Sequence, residues 1–479
     1  MNPSITHPLL NAAKNFSHHT ALITDRLSLS YSELLERAQL VLGNLVKRGL
    51  KSGDIIVLDQ NSQDAMLVIL WACSLGNYIA FPVNTRFPKT ALLKIFSEIQ
   101  PTLIISQRQL VSELSISYEA LIGSNADPIT VEIAGYDATA GASLLMTSGS
   151  SGSSKIVQHS HHNHWSSALG SNRNIALKPG DKWLLTLPLY HVGGLSILYR
   201  TAQAGAAIVV STAASTTLKS ISNKEITHIS LVAVQLQRIL DEPGAARILR
   251  QMQAILLGGS ALPKTLIQNA LDLGLPILVT YGSTEMASQI TTTSPDDRSA
   301  ALTNSGKLLT GRDLIISHKG EILVKGPTLA MGYRGGKGLI DLRDTDGWFH
   351  TTDVGYLDVQ GALTVTGRID SQFISGGENI QPEHIELVLT NIPGITQALV
   401  LAQKDSEFGF RPVAYLQIDK AAPNLENIVE RLKRTLPAYM IPVAYFLIPE
   451  ELLDGSLKLS RLALSKHILD RNKPLHSLS

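Results

Sequence analysis

Apolar runs of three to five residues alternate with helix-length amphipathic segments over most of the first three hundred residues of this 479-residue chain. The runs Trp183 to Leu187, Ala207 to Ser211, Ile229 to Ala233, Ile255 to Leu257 and Ile277 to Tyr281 each end near Gly, Pro, Ser or Thr. Continuous apolar runs of this length predict strands covered on both faces, so the pattern predicts a parallel α/β layout. Between about Gly306 and Thr366 the rhythm shortens, with Asp313 to Ser317 and Glu321 to Lys325 separated by Lys319-Gly320, which predicts a small antiparallel unit. After Asp370 the pattern predicts helices near Pro382 to Leu389 and Leu425 to Leu436, and strands near Gln397 to Leu401 and Val413 to Gln417. The boundary is expected at Gly367-Arg368-Ile369-Asp370.

Composition narrows the classes. The length predicts two or three domains. A balance of 41 basic against 40 acidic residues gives no general attraction to nucleic acid or anionic membrane, so anionic ligands must be met locally. The single cysteine, Cys73, sits in the apolar run Val68 to Cys73 and is expected to be a small buried residue. Met1 to Lys14 does not look like a secretory signal, and the apolar stretch Ala65 to Val83 is broken by Ser74, Gly76 and Asn77, which argues against membrane insertion. A cytoplasmic protein is expected, with homo-oligomerisation left open.

Chemistry concentrates first at Thr147-Ser148-Gly149-Ser150-Ser151-Gly152-Ser153-Ser154-Lys155, directly after the apolar run Leu144-Leu145-Met146. Glycines let backbone N–H groups converge on oxygen, hydroxyls add neutral donors, and lysine supplies a point charge, which suits a polyphosphate. A Gly/Ser linker is the plainer alternative. The spacing does not fit a loop ending Gly-Lys-Ser/Thr before a helix.

At Tyr281-Gly282-Ser283-Thr284-Glu285 a strand ends in a ring, a glycine, two hydroxyls and a carboxylate. Carboxyl ends of parallel strands are where α/β sheets hold ligands. There Tyr281 can stack on a base, Thr284 can bond a phosphate, and Glu285 can hold Mg²⁺, which prefers oxygen ligands. A helix cap is the alternative. Asp353, with Arg368 beyond a turn, can accept ribose hydroxyls while the arginine meets the phosphate side; a surface ion pair is the plainer reading. Lys458, in Gly455-Ser456-Leu457-Lys458, reads by itself as a solvated lysine. The crowded His159, His161, His162 and His164 read as a solvated helix start and not as a zinc site.

Taken together, these segments resemble the adenylate-forming superfamily of acyl-CoA synthetases, adenylation domains and luciferases, in the expected order along essentially the whole chain. Thr147 to Lys155 resembles the family's phosphate loop, with Ser151 and Ser154 in place of its Thr and Pro. Tyr281 to Glu285 resembles its Tyr-Gly-x-Thr-Glu element, and Leu257-Gly258-Gly259-Ser260-Ala261 its adenine-pocket segment. The resemblance implies that Thr147, Ser148, Gly149, Ser150, Gly259, Ser260, Ala261, Tyr281, Gly282, Ser283, Thr284, Asp353, Arg368 and Lys458 bind ATP. It implies that Lys155, Thr284, His191 and Lys458 serve catalysis, that Glu285 holds Mg²⁺, and that Asp370 is the hinge. It also implies that Gly376, Gly377 and Glu378 meet coenzyme A, with Ser375 where many relatives carry lysine. The implied fold is α/β: residues 1–369 form a large domain of parallel-sheet subdomains plus a small β-barrel (305–367), and residues 370–479 a small mobile α+β domain.

Within the superfamily, Leu187-Pro188-Leu189-Tyr190-His191-Val192-Gly193-Gly194, Arg200, Ser230-Leu231-Val232 and Ser375 to Glu383 are most similar to the o-succinylbenzoate–CoA ligases of menaquinone biosynthesis. An aromatic dicarboxylate needs its unreacted carboxylate neutralised, and the fork of Arg200 does this bidentately. Ser230, Ser288, Gln289 and His191 are the expected companions. An exposed helix position is the plainer reading of Arg200. A CoA ligase for another aromatic or aliphatic acid, an enzyme charging a carrier protein, and a non-enzymatic nucleotide-binding protein are the rival functions.

Overall fold

The computed structural model describes residues 6–108, 110–111, 113–122, 136–147, 155–211, 217–259, 262–336, 338–419, 422–452 and 461–471. Two large sheets organise the first part of the chain, one of nine strands and one of eight. The expected buried runs form adjacent parallel strands of the first sheet: Lys182–Leu184, Ala207–Val209, His228–Leu231, Ala254–Leu257 and Ile277–Ser283. Ile277–Ser283 then turns back on Ser288–Thr292 in antiparallel register. The second sheet pairs Gly141–Met146 antiparallel with Ile156–Ser160, so the ends of the expected phosphate loop meet, with the Thr147 N–H donating to the Lys155 carbonyl at 2.9 Å.

The long apolar stretch divides into the helix Gln63–Leu75 and the strand Ile79–Pro82. Every residue from Ala65 to Leu75 is buried, as expected of a helix that is apolar all round. Cys73 is wholly buried, and desolvation pushes its thiol well above the usual range. No helix among the described residues is long and apolar enough to cross a membrane. Helices Val192–Ala204 and His161–Asn174 pack on one another. Fully buried Leu, Ile and Val side chains here contribute about 1.5–3 kcal/mol each.

The region expected as a small β-barrel is a four-stranded antiparallel sheet, ordered Asp313–Ile316, Glu321–Lys325, Phe349–Leu357, Leu363–Arg368. Among the described residues no pairing joins its outer strands, since so few short strands cannot complete the tilt and stagger that closure requires. Beyond it, helices Pro382–Thr390 and Leu425–Thr435 accompany a three-stranded sheet of Ile395–Asp405, Gly409–Ile418 and Tyr445–Leu447. This part has its own apolar cluster, including Ile380, Ile385, Leu389, Val400, Leu416, Ile428 and Leu432.

Candidate active site

Tyr281 and Glu285 are positioned by the end of the strand Ile277–Ser283 and the turn after it. A Cβ on Gly282 would lie 1.9 Å from the Ser288 carbonyl oxygen, so only glycine lets the two antiparallel strands approach here. The turn is strained: Ala287 and Ser288 have φ of +51° and +105°. Such conformations cost about 1–3 kcal/mol each and persist only where surroundings impose them. The surroundings do so here, as Ser167 donates to the Ala287 carbonyl at 2.6 Å and Arg312 reaches Ser167 Oγ at 3.2 Å.

The Thr284–Glu285 segment is tied from several sides. His159 Nε2 donates to the Thr284 carbonyl at 2.7 Å, the Ala330 N–H donates to the Glu285 carbonyl at 2.8 Å, and the Tyr333 hydroxyl donates to Glu285 Oε1 at 2.9 Å. Glu285 Oε2 makes no hydrogen bond among the described residues. Carboxylate oxygen beside threonine suits a hard cation that takes its remaining ligands from phosphate and water. Lys155 is exposed, with its Nζ 4.6 Å from the centre of the Tyr333 ring.

Asp353 and Arg368 face each other in register on adjacent strands. Asp353 accepts from Arg368 Nη1 at 2.9 Å and from the Tyr281 hydroxyl at 2.6 Å, and its neighbour Thr352 is held at φ +61°. Arg368 also donates to Asp370 through Nε at 2.9 Å and Nη2 at 3.0 Å. The pair is therefore one part of a network, beyond a simple surface ion pair. Burial and the Asp353 charge push the Tyr281 phenol far above its usual range, which keeps it a donor.

Arg200 lies on the helix Val192–Ala204 and is 1% exposed, which replaces the exposed-helix alternative. Nη2 donates to Ser288 Oγ at 3.1 Å, the guanidinium stands 5.4 Å from the centre of the Trp183 ring, and Nε has no partner. Among the described residues Arg200 has no carboxylate partner. Desolvation, then the neighbouring Arg312 charge, lower its pKa to about 9. Ser230 Oγ and Gln289 Oε1 are also buried and unpartnered. Ser230 makes no hydrogen bond to Arg200. His191 is the N-cap residue of the Arg200 helix; it is solvent-accessible, yet enough protein surrounds it that desolvation lowers its pKa.

Gly376 and Gly377, at φ +57° and +88°, form the two-residue turn between Phe373–Ser375 and Glu378–Ile380, a turn that needs positive φ at both positions. Both glycines and Glu378 are exposed, while Ser375 is buried. Gly259 follows the strand Ala254–Leu257. Ser148, Gly149, Ser150, Ser151, Ser154, Ser260, Ala261 and Lys458 lie outside the described residues.

The expected solvated histidines are instead interior: His159, His161 and His164 are at most 2% exposed. The strand Ile156–Ser160 and the first turn of the helix His161–Asn174 both face the core, because the helix packs under Val192–Ala204. His164 pairs with Ser143 at 2.8 Å and stacks on Tyr199, and His7 pairs with Ser74 at 2.8 Å. Burial lowers the pKa of His159 and His161 to about 4 and of His7 to about 3. Nothing in the sequence marks Tyr333 or His159 as neighbours of Thr284–Glu285; the apolar Ala330-Met331-Gly332-Tyr333 run carries no sign of its contact with Glu285.

A family described as AMP-binding enzyme matches residues 9–334. The chain belongs to that family. Fellow members include 2-succinylbenzoate–CoA ligases of Oceanobacillus iheyensis, 33% identical over 92% of this chain and 95% of that one, and of Bacillus subtilis, 30% identical over 95% and 96%. The fold is similar to o-succinylbenzoate CoA synthetase from Bacillus subtilis in complex with the acyl-adenylate OSB-AMP, with a TM-score of 0.86, 28% identity and 99% of each chain covered. The same synthetase in complex with ATP and magnesium ion gives a TM-score of 0.82 and 30% identity, over 92% of this chain and 95% of that one. As an AMP-binding enzyme, the chain carries its nucleotide candidates on both large sheets and on the four-stranded sheet.

Proposed function

We propose that this protein is an AMP-forming acid–CoA ligase acting on 2-succinylbenzoate, the step that yields 2-succinylbenzoyl-CoA in menaquinone biosynthesis, in the cytoplasm. The observation that carries the substrate is Arg200: a buried guanidinium with an unpartnered Nε, a second buried cation nearby and, among the described residues, no carboxylate to offset either. An aromatic dicarboxylate supplies the missing anion through the carboxylate that does not react. Ser288, Gln289 and Ser230 offer polar atoms for the same acid. The relatives and solved structures named above support the reading.

In the first half-reaction an oxygen of the succinyl carboxylate attacks the α-phosphorus of ATP, and the bond to the β-phosphate oxygen breaks, releasing pyrophosphate. Tyr281 stacks on adenine, Asp353 accepts the ribose hydroxyls, and Arg368 orients Asp353. Thr147, Thr284 and Lys155 meet the phosphates, and Lys458 offsets charge at the reacting carboxylate. Glu285 would hold Mg²⁺, which would offset phosphate charge. In the second half-reaction the thiol sulfur of CoA attacks the acyl carbon, the bond to AMP breaks, and the thiol proton passes to solvent. Residues 370–479 turn about Asp370 between the halves, exchanging Lys458 for the Gly376-Gly377-Glu378 turn, and His191 borders the reacting carboxylate.

Pyrophosphate release, measured across a panel of acids first without CoA and then with it, tests the reading. Release that requires a second carboxylate on the acid, followed by thioester formation, is expected. Equal use of 4-oxo-4-phenylbutanoate, which keeps the succinyl carboxylate and lacks the one on the ring, removes the substrate assignment and leaves a CoA ligase for another acid.

A further inference from the structure

Two charged groups of opposite sign meet one side chain. Tyr333 lies on the strand Gly332–Gly335, paired antiparallel with Ile156–Ser160, so that Tyr333 is opposite Val157, two residues from Lys155. Its ring carries the Lys155 ammonium at 4.6 Å from the centroid, and its hydroxyl donates to Glu285 Oε1 at 2.9 Å. Among the described residues Lys155 makes no ion pair. A lysine and a glutamate brought to one ring would ordinarily pair and cancel each other's charge. Here the face of the ring attracts the cation through its quadrupole while the hydroxyl at its edge takes the carboxylate, and neither neutralises the other.

We infer that Tyr333 is a positioning residue that keeps Lys155 and Glu285 separately charged and aimed, the lysine for phosphate and the carboxylate for the cation that accompanies it. This rests on the nucleotide reading of Lys155 and Glu285 above.

The experiment compares Tyr333→Phe, Tyr333→Leu, Glu285→Gln and Lys155→Ala in the full chain. Pyrophosphate release is followed against Mg²⁺ concentration and, separately, thioester formation from presynthesised acyl-adenylate, with thermal unfolding of each variant. Tyr333→Phe keeps the ring under Lys155 and removes the bond to Glu285; the Mg²⁺ concentration for half-maximal release should rise about 5- to 10-fold, with the KM for the acid unchanged. Tyr333→Leu removes both restraints and should also lower the maximal rate of release by about 10²-fold, because the two charges then pair with each other. Thioester formation from the adenylate should stay near wild type in both. If Glu285→Gln shifts the Mg²⁺ dependence and Tyr333→Phe does not, the role of Tyr333 is overturned. Losses shared equally by the two half-reactions, or tracking the unfolding temperature, overturn it as well. If Glu285→Gln and Lys155→Ala both release pyrophosphate as wild type does, the nucleotide reading itself fails.

Discussion

The Tyr281 hydroxyl donates to Asp353 Oδ2 at 2.6 Å, joining the end of a parallel strand in the nine-stranded sheet to the four-stranded sheet. The bond fixes one carboxylate oxygen of Asp353 while Arg368 takes the other, so the carboxylate is presented in one orientation. Asp353→Ala should reduce kcat/KM for ATP by about 10- to 100-fold, the loss of a charge-assisted acceptor, and Tyr281→Phe by less, since its ring remains. Steady-state kinetics with ATP varied at saturating acid measure both; equal KM for ATP in all three proteins would refute the nucleotide placement.

Arg200→Ala should weaken use of the dicarboxylate strongly while ATP binding changes little. A desolvated ligand carboxylate left without its partner costs about 3–5 kcal/mol. Arg200→Lys should rescue only in part, because a point charge cannot reproduce the fork. The KM for the acid, with the KM for ATP as control, reads the difference.

Lys458→Ala should cut acyl-adenylate formation by about 10²-fold or more and spare acyl transfer from presynthesised adenylate to CoA. Asp370→Pro should do the reverse, since proline fixes φ and removes the freedom rotation requires. Pyrophosphate release and thioester formation report the two halves separately; equal damage to both by Lys458→Ala would exclude alternation about Asp370.

The buried histidines make stability depend on pH. Their folded pKa values, about 3 for His7 and about 4 for His159 and His161, lie below the ordinary 6.5. Between those limits the unfolded chain binds protons that the folded chain refuses. Their contribution is therefore complete above 6.5 and is lost as pH falls through the window, down to about 4 for His159 and His161 and about 3 for His7, with a slope of about 1.4 kcal/mol per pH unit for each histidine still neutral in the fold. Denaturant unfolding at pH 7, 6 and 5 should show this steepening, and His159→Gln should flatten it; a pH-independent midpoint across that range would contradict it.

Local pattern carried much of the outcome. The five expected buried runs are adjacent parallel strands, and the turn at Lys319-Gly320 joins an antiparallel pair, because alternation and turn residues act within a few positions of one another. Tyr281, Glu285, Asp353 and Arg368 were named from local chemistry alone: Tyr281 and Glu285 flank the end of the strand Ile277–Ser283, Arg368 closes the strand Leu363–Arg368, and Asp353 lies within the strand Phe349–Leu357. The interior histidines were misread for the converse reason: a cluster of polar residues carries no sign of which neighbour will cover it.

The sequence by itself determined the element order, the α/β class and the identity of the charged groups, since backbone propensity and side-chain chemistry travel with the residue. Only the tertiary structure decided that Arg200 would be buried against Trp183 with no anionic partner among the described residues, that the strained Ala287-Ser288 turn would hand it a hydroxyl, and that Tyr333 would stand between Lys155 and Glu285. Those contacts join residues 17 to 178 positions apart. They depend on sheet order and register, and a one-residue slip of either strand would turn the same side chains to the opposite face.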